Sequence, residues 1–394
     1  MKNNCSKIIL IAILPILFFL VIAADIEAAT LQTNRFHSYL KQGIDNAFNL
    51  ETAGAIALLK KAVALEPENP TGYAFLAMLH LFSYEMSYDL EAQKKDQEAI
   101  VRYAAETLSL GEKRLEMNPK DSEAYLAMAL AKIAKMHWGI HEKRYLVMVQ
   151  ETSNIWNYLE KASGAEPNNF DIYFLMGLLH YHIDQLPGFT RVASSLLLTS
   201  GDSQKGLKEI ELAAQKGDLL QVIAQTELQS VYLIFEKQPQ LALPVIQRLC
   251  KKFPNNYNFL FAQANAFAEL GRFGEAFALA REIENNISTA TPPYVPQLQP
   301  RYNQLMGRIF FAQGQYDKAT DYFQKALQDM AFYNTRVRVW TLVRLGMIQD
   351  IRKDRARAQE YYSQALEIEN GEGTAKVEAR KYLQTPYVPT KNIN

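Results

Sequence analysis

Apolar residues recur at helical spacing along most of this chain, and short polar breaks built on proline interrupt them. Glu66-Pro67-Glu68-Asn69, Asn118-Pro119-Lys120-Asp121, Glu166-Pro167-Asn168-Asn169 and Phe253-Pro254-Asn255-Asn256 each close one helical run and open the next. Proline cannot continue the first helix, and the Asn or Asp that follows can cap the second. Register is kept across the breaks: Tyr73, Tyr125 and Tyr173 stand six residues after the proline, and Ala77, Ala129, Gly177 and Ala264 stand ten after it. The prolines lie 52, 48 and 87 residues apart, so the last interval must hold two units. Surplus length at 83–97 and 138–150 predicts lengthened helices or long hairpin loops there.

Near the C-terminus two segments align without gaps. Gly307, Ala319 and Ala326 match Gly346, Ala358 and Ala365 at a constant offset of 39, and the aromatic Phe323 matches Tyr362. Two antiparallel helices pack closely where a small side chain meets a large one, so Gly307 and Ala319 leave room for Phe310 and Phe323 to fill. Gly314, just past the first of these helices, is placed for a left-handed cap.

This spacing of small and aromatic positions resembles the tetratricopeptide repeat, whose unit is about 34 residues. The resemblance implies an all-α superhelix, a TPR-like solenoid of about eight helix hairpins. The hairpins fall near 36–69, 70–121, 122–169, 170–222, 223–256, 257–299, 300–338 and 339–372. The expected organisation is an array with lengthened helices over 30–287, a Pro-rich linker and candidate hinge over 288–299, two regular repeats over 300–372, and a capping helix with a frayed tail over 373–394.

The start of the chain differs in kind. Lys2 and Lys7 precede an apolar run, Ile8 to Ile22, interrupted by Pro15 and followed by the small residues Ala23 and Ala24. Residues 1–23 read as a signal peptide, or as an uncleaved anchor at the lower edge of spanning length. Cys5 precedes the run, which disfavours a lipoprotein. The body is expected outside the cytoplasm, periplasmic or secreted, or held at the inner membrane by the anchor. Membrane contact is otherwise expected only as weak surface contact. Cleavage would leave Cys250 alone in the apolar pattern of Val245, Ile246 and Leu249, where it reads as a small buried hydrophobe.

Forty-two basic residues balance 42 acidic ones with no long single-sign block, which excludes the footprint of a nucleic-acid binder. With 48% hydrophobic residues, including 21 Tyr and 20 Phe, there is ample material for a core. No phosphate loop, nucleophile elbow or His-Glu-x-x-His motif is present. His137 and His141 share a helical face, as do His180 and Asp184 with His182 turned away. No third metal ligand is evident beside them, and a hydrogen-bonded structural pair is the expectation for His180 and Asp184. No catalytic residue, metal or cofactor is expected.

First-helix residues two, five, nine and twelve of each unit would line a concave groove. They give Asp171, Phe174, Leu178 and Tyr181 in one unit, then Asn258, Phe261, Asn265 and Ala268 in another. Arg301, Gln304, Arg308 and Phe311 follow in a third. Such a lining suits an extended peptide or an amphipathic helix, although the aromatics can equally be packing. It lacks the repeated Lys and Asn set that would clamp a C-terminal carboxylate. The stretch Gly177 to Phe189, followed by Ser200-Gly201-Asp202 and Gly206-Leu207, resembles a subgroup of exported bacterial repeat proteins. It is also similar to the mitochondrial inclusion-clearance repeat proteins of fungi and animals. The resemblance implies a helical-repeat family and lends no catalytic residue.

The expected function is a non-catalytic scaffold or adaptor of the cell envelope that binds a protein or peptide segment. A lipid or envelope-component binder is the alternative suggested by the apolar run from Leu186 to Leu198, for which burial is the competing reading. A metal-dependent enzyme using the histidine pairs is the remaining alternative.

Overall fold

The computed structural model describes residues 30–141, 145–184, 201–328, 335–369 and 373–389. The expected signal segment and the run from 186 to 198 lie outside them. Among the described residues the chain is all helix, with turns and no strand. The helices are α1 (30–48), α2 (Thr52–Leu65), α3 (Pro70–Met86), α4 (Leu90–Met117), α5 (Ser122–His141) and α6 (Tyr145–Ala165). Then come α7 (Phe170–Asp184), α8 (Ser203–Lys216), α9 (Gln221–Ser230, prolonged by a π turn at Val231–Phe235), α10 (Pro239–Lys252), α11 (Tyr257–Glu269) and α12 (Phe273–Ser288). The last are α13 (Gln299–Ala312), α14 (Tyr316–Gln328), α15 (Thr335–Ile351), α16 (Arg355–Glu367) and α17 (Thr374–Gln384). They pair in order into eight hairpins, and α17 covers the end of the stack with Ala375, Ala379 and Tyr382 buried. This is the all-α superhelix expected.

The proline breaks work as local chemistry. Asn69, Asp121, Asn169 and Asn256 accept backbone N–H bonds from Thr71, Ala124, Asp171 and Asn258 at 2.9–3.2 Å, each satisfying an orphan donor of the next helix. At two of the breaks the tyrosine six residues on donates its hydroxyl back to the proline carbonyl, Tyr125 to Pro119 at 3.1 Å and Tyr173 to Pro167 at 3.0 Å. The surplus length of the early units is taken up in helices: α4 runs for 28 residues, α5 for 20 and α6 for 21.

Small residues set the approach of paired helices. A Cβ on Gly307 would lie 2.5 Å from the Phe323 ring, and one on Gly346 would lie 2.5 Å from the ring of Tyr362. Gly314 takes φ +73° and ends α13 as a left-handed cap. Thirteen residues after each of the first three prolines a basic side chain bridges the hairpin: His80 to Asp96 at 2.7 Å, Lys132 to Glu151 at 2.6 Å and His180 to Glu209 at 2.6 Å.

The array winds tightly enough for distant hairpins to touch. From α1, His37 and Lys41 pair with Asp218 at the turn before α9, and Asp45 pairs with Lys252 at 2.8 Å. Phe48 packs on Phe253 and Phe259, and its carbonyl accepts from the Asn256 amide at 2.7 Å. Lys237, between α9 and α10, likewise reaches Glu378 of α17 at 2.9 Å.

Two segments are more tightly held than a hinge and a frayed tail would be. The linker buries Tyr294 and Leu298 in a core that runs on through Tyr302 and Ile309, so packing continues across it. The tail is docked at Tyr387: its N–H donates to Asp350 Oδ2 at 2.8 Å, and its ring packs on Phe311 and Tyr382. Asp350 can anchor it because its own carboxylate is 1% exposed and also holds Arg355 and the Tyr362 hydroxyl.

Candidate binding groove

The first-helix positions singled out from the sequence fall into two groups. In α7, Asp171, Phe174 and Tyr181 are buried in the wall, and Leu178 is half-buried against the core. Asp171 accepts the backbone N–H groups of Asp218 and Leu219 at 2.7 and 2.9 Å, which pins the turn into α9. Burial raises its pKa against the lowering effect of those bonds. Tyr181 donates to Glu236 at 2.6 Å, tying the fourth hairpin to the fifth. In so tight a winding the inner positions of one helix meet the next unit.

The second group lies on α11 and α13. Arg301 donates to the Asn258 side-chain oxygen at 2.6 Å, and its guanidinium lies 4.3 Å from the centre of the buried Phe261 ring. One helical face further along, Arg308 sends two N–H groups to Glu269 Oε1 at 3.0 and 2.8 Å. Between Asn258 and Glu269 on α11 stands Asn265, whose buried Oδ1 has no hydrogen-bond donor among the described residues. Gln304 spends its amide on the Val337 carbonyl at 3.1 Å, Phe311 is covered by Tyr316 and Tyr387, and Ala268 is buried.

A residue outside that register completes the site. Arg344 of α15 lies 4.9 Å from the Trp340 ring centre and has no hydrogen-bond acceptor among the described residues. Burial, with Arg308 nearby, pulls its guanidinium down to about 9, so it stays charged at neutral pH. Burial lowers Arg301 in the same sense. Burial pushes the Glu269 carboxyl up, but Arg308, helped by Arg344 and Lys237, outweighs it and holds the group below the ordinary carboxylate range. The C-terminal part of the inner face is therefore a half-buried, cation-rich strip.

The N-terminal part differs. A cleft of about 530 Å³ opens over Thr71, Phe75, Leu126 and Leu130, with Glu123 and Leu219 at its border. Glu123 is held there by Thr71, Asn69 and Arg114. The inner face thus runs from an apolar, acid-bordered cleft to a basic strip.

The histidines are used in structure. His180 bonds Glu209, so its partner comes from α8 and the expected pairing with Asp184 is replaced; His182 meets Glu227 at 3.0 Å. The side chains of His137 and His141 lie outside the described residues. Among the described residues, no group of three or more His, Cys, Asp or Glu is arranged to hold a metal ion. Burial pushes the half-buried Cys250 thiol up to about 12. No helix among the described residues is long and apolar enough to cross a membrane.

Comparison with known proteins fits the geometry. The profile of a family described as regulator of microtubule dynamics protein 1-3 matches residues 40–209. Two tetratricopeptide-repeat profiles match residues 235–293 and 302–369. No curated protein matches the chain. Among solved structures, the human IFIT1 dimer with m7Gppp-AAAA is 15% identical over 90% of this chain and 87% of that one, with a TM-score of 0.44. The Cut9-Hcn1 hetero-tetramer of the APC/C is 14% identical over 84% of this chain and 52% of that one, TM-score 0.45. A tetratricopeptide repeat protein from Parabacteroides merdae is 15% identical over 82% of this chain and 99% of that one, TM-score 0.32. Stacked hairpins with small residues at their crossings and two matching repeat profiles agree: the chain is a tetratricopeptide-repeat protein, with the fold of a protein–protein interaction scaffold.

Proposed function

We propose that this protein is a non-catalytic adaptor that holds a peptide or helix of a partner protein along its inner face, in the cell envelope. The observation that carries the reading is the set of polar groups on that face which the fold leaves unused, Arg344 and the Asn265 oxygen above all. Buried polar atoms are normally satisfied, so the unpaired Asn265 oxygen, with the half-buried Arg344 guanidinium on the same side, suits a surface that is completed by something else. The cleft over Phe75 and Leu126, in the N-terminal part of the array, offers apolar room for a side chain of a longer bound segment. Site-specific photocrosslinking in cells tests the reading. A crosslinker at Leu126 or Gln304 should capture a protein, and one at the exposed Glu360 should not. Capture from Glu360 alone would overturn the groove as the binding face.

The envelope location rests on the pattern of Lys2, Lys7 and the apolar run to Ile22. The intact mass of the chain isolated from cells tests it. Loss of the first two dozen residues or so is expected for a signal peptide, and full mass in a soluble fraction would count against both export and anchoring.

A further inference from the structure

The geometry points to the Arg301–Arg308–Arg344 strip as an anion-recognition site that takes carboxylate side chains from an acidic, extended segment of the partner protein. This inference rests on the groove reading and names the partner's chemistry.

The three guanidiniums differ in how they are satisfied. Among the described residues, Arg308 is neutralised by Glu269, Arg301 meets the neutral Asn258 amide and the Phe261 ring, and Arg344 meets the face of Trp340. Glu378, which also faces Arg344, is drawn off by Lys237. With Lys237, and with Arg336 beside Arg301, five cations therefore face two carboxylates on this strip. A half-buried guanidinium without an acceptor keeps donors unspent, and its N–H edges match the in-plane oxygens of a carboxylate. With Phe261 and Trp340 occupying their faces, Arg301 and Arg344 have only those edges to offer. Asn265, with its unpaired oxygen on the same face of α11, adds an amide that can turn to meet a bound backbone.

Two observations choose the occupant. The cation surplus is modest and two carboxylates share the strip, which suits a few acidic side chains better than the dense charge of a polyphosphate chain. Moreover, the groove end already holds extended polypeptide. The segment through Tyr387 lies against Phe311 with its N–H on Asp350, and Tyr387 sits close enough to Arg344 for its hydroxyl to feel the charge.

Fluorescence polarisation with the purified full-length chain tests this. The probes are a labelled glutamate-rich peptide, the same peptide with every Glu replaced by Gln, and a labelled single-stranded RNA of equal length. The glutamate peptide should bind, its affinity should fall with salt, and Arg344→Gln or Arg301→Gln should weaken it about tenfold. The exposed Arg357→Gln serves as control and should leave it unchanged. Equal binding of the glutamine peptide, or no effect of Arg344→Gln, would overturn the anion site while leaving the groove standing. Tighter, Arg344-dependent binding of RNA would overturn the choice of partner. Absence of all peptide binding, with crosslinking from Gln304 intact, would sink this proposal alone; loss of that crosslinking too would sink the groove with it.

Discussion

Gly177 and Gly206 meet backbone to backbone where α7 crosses α8: a Cβ on Gly206 would lie 2.7 Å from the Gly177 carbonyl oxygen and 2.5 Å from the Tyr181 nitrogen. No side-chain adjustment relieves a clash with main chain. Gly206→Ala should therefore cost about 3 kcal/mol, measured by urea unfolding. Gly307→Ala meets a ring instead, so its smaller loss should be partly recovered in the double variant with Phe323→Leu. Equal losses at both sites, with no recovery, would contradict this account of the crossings.

The Lys132–Glu151 bridge sets a pH dependence. Burial pushes the Glu151 carboxyl up, but the hydrogen bond and charge of Lys132, with Asn154, outweigh it and leave a net lowering. A depressed folded value means the stabilisation is present above the unfolded pKa near ~4.3 and is lost as pH falls through the lower folded one. Glu151→Gln should cost about 1–2 kcal/mol at neutral pH, and the gap to the parent protein should close as pH falls through the depressed folded value. A gap that persists in acid would assign the loss to packing.

Arg344 is held against the Trp340 face with no acceptor among the described residues, and burial disfavours its charge. Arg344→Met keeps the bulk of the stem and removes the charge, so the melting temperature should rise, by about 1–2 kcal/mol in stability. A fall in melting temperature would show that the guanidinium is a structural group.

Cys250 should be inert in the folded protein. With its thiol pushed up to about 12, almost no thiolate exists at mildly alkaline pH. A disulfide reagent should label it only after denaturant is added, and rapid labelling of the native chain would contradict its packing in α10.

How much of this was legible in the sequence depends on range. The proline frame located every hairpin boundary it touched because capping and helix termination are local events. The tyrosines six residues on and the small residues ten on are equally local. The basic residues thirteen on were present in the same frame but unreadable as pairs. Asp96, Glu151 and Glu209 stand 16, 19 and 29 residues beyond them, so no fixed spacing marks the partners. In the proposed groove, Arg301 and Arg308 stand at the first-helix positions read from the sequence, whereas Arg344 belongs to a different register of its helix. Asp171 and Tyr181 are spent inside the wall because their positions meet the next unit. Repeat periodicity specifies each neighbour; it does not specify how many units complete one turn.

The contacts of α1 with the turns before α9 and α11 turn what could have been a spring into a riveted coil. Stretching such a rod requires breaking Asp45 from Lys252 and Phe48 from Phe253 before neighbouring hairpins can part. The first half of the molecule should thus unfold as one cooperative block, and the inner surface keeps a fixed length against which a bound segment can be measured.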